Sequence, residues 1–111
     1  MTHYERWFKR NAIAEQKESE GKFEDAIRIY ESNVDEDADT MFPYERLAIL
    51  YKRKNDRANE KRILQKGLQL LKMRSEQGRL DTNQESMIKE FEDRLEKITG
   101  RKRKKSWFSR A

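Results

Sequence analysis

The chain contains no cysteine, which excludes a disulfide framework, a thiol nucleophile and a thiolate metal site together. One proline and four glycines supply too little turn chemistry for an all-β fold, whose hairpins depend on those residues. No run of 18 consecutive apolar residues occurs, so no segment is predicted to cross a bilayer as a helix. The opening Met1-Thr2-His3-Tyr4-Glu5-Arg6-Trp7 lacks the basic start and long apolar stretch of a secretory signal, and a cytoplasmic location is expected. His3 is the single histidine. No serine, cysteine or carboxylate constellation surrounds it in the sequence, and it reads as a surface residue. Glycine-rich phosphate loops and zinc-ligand spacings are also missing. The expectation is a protein that is not an enzyme and has no cofactor.

Charge is what the chain has in quantity: 42% of its 111 residues are charged and 34% are apolar. A chain of this length makes one domain and buries a thin apolar seam between elements. Its abundant Glu, Lys, Arg, Leu and Gln favour helix, and the apolar residues recur at helical spacing, so the fold class is all-α. Five helices are predicted. The first runs from about Tyr4 to Ser19, carries Tyr4, Trp7, Phe8 and Ile13, and stops at Gly21. In the second, Phe23, Ala26, Ile27, Tyr30 and Val34 form one buried stripe. After an acidic connector the third starts behind an Asp39 or Thr40 cap with Pro43 in its first turn, and carries Phe42, Tyr44, Leu47, Ala48, Leu50 and Tyr51. Asn55-Asp56 turns the chain, and Asp56 caps a fourth helix holding Ile63, Leu64, Gly67, Leu68 and Leu71. A polar loop from Arg74 to Asp81 precedes Thr82-Asn83-Gln84-Glu85, a capping-box pattern opening a last helix with Met87, Ile88, Phe91, Leu95 and Ile98.

Displaced by 34 residues, the sequence overlies itself: Trp7 with Met41, Phe8 with Phe42, Ile13 with Leu47, Ala14 with Ala48, Ile29 with Ile63 and Val34 with Leu68. That period belongs to stacked helical hairpins. Glu20-Gly21-Lys22-Phe23-Glu24-Asp25-Ala26-Ile27-Arg28-Ile29-Tyr30 resembles the turn and second helix of a tetratricopeptide repeat. Ile13-Ala14 and Leu47-Ala48 take the places where that family has a large residue and then a small one at the helix crossing. Lys17, Arg10 and Glu60 depart from its pattern, and Ala38 and Lys72 stand where its repeats end in proline. The resemblance implies an α-solenoid-like fold over residues 1–99: repeats at about 7–40 and 41–74, then a terminal capping helix at about 83–99. Ile13, Ala14, Ala26, Tyr30, Leu47, Ala48, Tyr51 and Leu64 would hold this scaffold. It further implies an inner groove for a partner protein or peptide, lined by Asn11, Glu15 and Glu18 from the first helix and by Glu45, Ile49, Lys52 and Arg53 from the third. Two repeats are few for an independent stack, so the capping helix or homo-oligomer formation supplies the missing cover.

Asp35, Asp37 and Asp39 open like a calcium loop, but Thr40 stands where glycine is required and Arg46 where a bidentate glutamate belongs. No metal site is expected there. Charge at the helix N-terminus accounts for these acids instead. Residues 100–111 form a basic tail: Arg101, Lys102, Arg103, Lys104, Lys105 and Arg110, with Trp107-Phe108 among them and no acid. The net charge of +5 resides in that tail. Such a segment suits nucleic acid, through phosphate neutralisation and stacking, or an anionic membrane surface, or simple solvation. The expected function is a non-catalytic adaptor that binds its partner in the helical groove. The alternative is nucleic-acid association through the tail.

Overall fold

In the computed structural model residues 2–100 are described. They form α1 (His3–Ser19), α2 (Phe23–Asp35), α3 (Phe42–Arg53), α4 (Arg57–Glu76) and α5 (Thr82–Thr99). Packing joins chain neighbours: α1 lies against α2, α2 against α3, and α4 against α5. Two compact units result, one closing at Asp56 and the other opening at Arg57. Their boundary lies in the turn between α3 and α4.

Local chemistry fixes the helix ends. α1 stops where Gly21 adopts φ 75°; its N–H reaches the Glu18 carbonyl at 3.0 Å while the Lys22 N–H reaches Lys17 at 2.8 Å. This hydrogen-bond pair satisfies carbonyls that a helix end leaves bare. α2 and α3 end by the same device with Asp37 at φ 53° and Asn55 at φ 59° in the left-handed position. α4 uses Gly78 for the same turn. At the other ends, Thr2 accepts from the Glu5 N–H at 3.1 Å, and α5 opens with a complete capping box. That box is Asp81 with Gln84, one residue ahead of the Thr82 start that the sequence suggests. Asp81 wins because its carboxylate is the stronger acceptor for the orphan N–H of Gln84, at 2.8 Å. α3 is a second correction. Its N-cap is Met41, with no side-chain cap, because the Asp39 carboxylate instead accepts from the Tyr4 hydroxyl at 2.9 Å. α4 also continues through Arg74, which is buried, into residues that read as loop.

In the first unit the core consists of Trp7, Ala14, Ala26, Ile27, Tyr30, Val34 and Leu47 among others; in the second it contains Ile63, Leu64, Leu71, Ile88 and Phe91. Ala14, Ala26 and Ala48 have no exposed surface, as close helix approach requires. Two residues expected in the apolar seam, Ile13 of the scaffold set and Phe23 of the second helix's stripe, are exposed instead. Ile13 is 43% exposed, since it lies about 100° round the helix from Ala14 and faces out. Phe23 is 41% exposed because it opens α2 at the hairpin turn, one turn before the buried stripe begins at Ala26. Among the described residues no helix is long and apolar enough to cross a membrane.

Candidate functional site

α1 and α2 are joined by a polar network inside their seam. Asn33, wholly buried, donates to the Trp7 carbonyl at 3.0 Å and to the Asn11 Oδ1 at 2.9 Å. Its own Oδ1 accepts from Arg10 at 3.3 Å. A buried amide without partners would cost a few kcal/mol, so these bonds fix the register of the two helices. At the rim of the same seam Glu36 accepts from Arg6 at 2.8 Å, Arg10 at 2.8 Å and the Trp7 indole Nε1 at 3.1 Å. The Arg6 and Arg10 hydrogen bonds hold its carboxyl down at about 2.

A second cluster links α1, α2 and α3. The Tyr30 hydroxyl donates to Glu18 Oε2 at 2.7 Å, and Arg46 grips both Glu18 oxygens, its Nε at 3.1 Å. Burial pushes the Glu18 carboxyl up, but the hydrogen bonds from Arg46 and Tyr30, with the Arg46 charge, outweigh it and leave the group below its ordinary value. Burial and the Glu18 hydrogen bond push the Tyr30 phenol far up. The Glu18 contact raises Arg46 in turn. All three therefore keep their neutral-pH charge states. Phe42 meets the Tyr30 ring edge-on, with centroids 6.0 Å apart.

Above this cluster lies an open pocket of about 290 Å³ lined by Glu15, Glu18, Phe42 and Arg46. Its size is at the lower limit of small-molecule sites, right for one or two peptide side chains. Within this lining the Glu18–Arg46 pair is mutually neutralised and fixed by its hydrogen bonds, Phe42 is apolar, and exposed Glu15 contributes negative charge.

The residues predicted for the groove divide sharply. Glu15 and Glu18 line the pocket. Asn11 does not face open space: it is buried and bound to Asn33, since its position on α1 points into the α2 seam. Glu45 and Ile49 are half-buried, while Lys52 and Arg53 are exposed; the pocket lining includes none of the four. Arg101, Lys102, Arg103, Lys104, Lys105, Trp107 and Phe108 lie outside the described residues. Sequence reasoning passed over Phe42 and Arg46 as site residues. Phe42 was visible as an apolar residue of the third helix and the repeat partner of Phe8, and Arg46 only as a residue unfit to bind calcium. The two Glu36 arginines left a clearer signal, a pair of cations four residues apart on α1. Comparison with protein-family models, with curated proteins and with solved structures returned no match.

Proposed function

We propose that the chain is a non-catalytic interaction module of tetratricopeptide-like architecture that holds a partner peptide across α1 and α3. One observation carries this reading: the pocket formed by Glu15, Glu18, Phe42 and Arg46 lies on the two helices that such repeats use to line their groove. Part of the lining is pre-organised. Tyr30 and Arg46 already hold Glu18 in place, so a ligand pays little ordering entropy there. Glu15 and Phe42 favour a peptide with a lysine or arginine beside an apolar residue, one charge meeting Glu15 while the neighbour covers the ring.

Selection of random twelve-residue peptides on the whole chain, followed by affinity measurement on variants, tests this directly. Enriched peptides should pair a basic residue with an apolar one. Glu15→Lys and Phe42→Ala should each weaken them by about tenfold or more, which is roughly 1.4 kcal/mol. Glu15→Lys should leave the melting temperature unchanged, because its side chain is exposed. Peptides that bind both variants as well as the parent would remove the pocket from the function.

A further inference from the structure

We infer that the outward face of α4 is a second binding surface, made for the phosphate backbones and groove of B-form DNA. It is independent of the pocket on α1 and α3. Within its first sixteen residues α4 carries Arg57, Lys61, Arg62, Lys66 and Lys72 against a single acid, Glu60. Glu60 is only 5% exposed, because Arg94 of α5 binds it at 2.8 Å. The helix thus turns its one early acid inward, and the polar side chains it presents outward before Glu76 are cations and amides, beside exposed Ala58 and Met73. Arg57, Lys61, Lys66 and Lys72 make no ion pair among the described residues. Ion pairs hold other cations of the chain: Arg28 with Asp25, Lys54 with Glu24, Arg6 and Arg10 with Glu36. Lys9, Lys52 and Lys97 are likewise exposed without an ion pair among the described residues, but they stand on three different helices.

The arrangement round the helix names the occupant. At about 100° per residue, Arg57, Lys61 and Lys72 fall along one edge of the outward face. Arg62 and Lys66 fall along the opposite edge. Between them project Gln65 and Gln69, both exposed. From Arg57 to Lys72 the helix rises about 22 Å. Two basic edges flanking a ridge of amides match a helix in the major groove, with cations reaching phosphates on both strands and glutamines reaching base edges. The A-form major groove is too narrow for this fit. A membrane surface would need apolar side chains to insert, yet Ile63, Leu64 and Leu71 are wholly buried and Met73 is the large apolar residue left exposed on α4. A protein partner would want aromatic or aliphatic anchors, and the face offers amides in their place.

The test is fluorescence anisotropy of the whole chain with a labelled mixed-sequence DNA duplex, over about 50 to 200 mM salt. Two triple variants remove equal charge: Lys61→Gln/Lys66→Gln/Lys72→Gln on α4, and Lys9→Gln/Lys17→Gln/Lys22→Gln as the control on and beside α1. The α4 variant should flatten the slope of log affinity against log salt by about 2 to 3, the share of three phosphate contacts, and weaken binding at least tenfold at the lowest salt. The control should do neither, and circular dichroism should show both variants as helical as the parent. Absent DNA binding by the parent, an unchanged slope in the α4 variant, or equal losses in both variants would overturn the assignment. So would α4-dependent binding to phosphatidylserine vesicles or polyglutamate as tight as to DNA, or a tighter α4-dependent grip on single strands than on the duplex.

Discussion

Glu36 shows how much one exposed carboxylate can organise when arginines converge on it. Its carboxyl is held near 2 by Arg6 and Arg10, below the ordinary 4.5, so its contribution to stability is complete above about 4.5 and fades as the pH falls through about 2. Acid titration followed at the Trp7 indole N–H resonance, whose proton is donated to Glu36, should show that late midpoint. Glu36→Gln should erase it and make stability less dependent on pH over the same window. The small residues tell a different story. Ala48 has no exposed surface, and Ala48→Leu should cost about 1 to 3 kcal/mol through overpacking, read as a fall in the denaturant midpoint. Such positions were legible in the sequence, because a repeated large-small pair states where helices cross. Asn11 and Ile13 were not. Periodicity tells that a residue is near the seam, but the rotation of the helix about its own axis decides whether it faces the neighbouring helix or the solvent.

At the level of the helix, the ends were better written than the faces. Gly21 and Asn55 each marked a stop, and both take the left-handed conformation. Asp37 was harder to read, because the acids around it were assigned to the positive end of the next helix while its own backbone position closes α2. Asn55→Gly should raise stability by up to about 1 kcal/mol, since glycine removes the Cβ penalty of a positive φ. Asp81→Ala should lose about 1 kcal/mol by leaving the first turn of α5 without its cap. Thermal melts of the two variants should therefore move in opposite directions. The length of α4 was underestimated because its last turn, Arg74-Ser75-Glu76, is polar by composition although Arg74 is buried. A long aliphatic stem lets arginine line a core that a hydropathy pattern assigns to loop.

Across the whole molecule, formal charge alone gave a misleading picture. Outside the basic tail the sequence is close to neutral, yet acids and bases separate by element: the connector after α2 gathers carboxylates, and α4 gathers cations. Five helices and their order could be read from spacing. The division at Asp56 could not, because the 34-residue period runs through it without a break. The packing order itself has a kinetic meaning. The helix pairs that pack most extensively are adjacent along the chain, so most loops closed on the way to the native state are short and little entropy is lost before the first contacts form. Stopped or continuous-flow refolding, watched by Trp7 fluorescence, should finish within microseconds to milliseconds, the range of helical proteins with local contacts. A chain that assembles this way exposes apolar surface only briefly, and its weak helix faces are covered before a second molecule can diffuse to them.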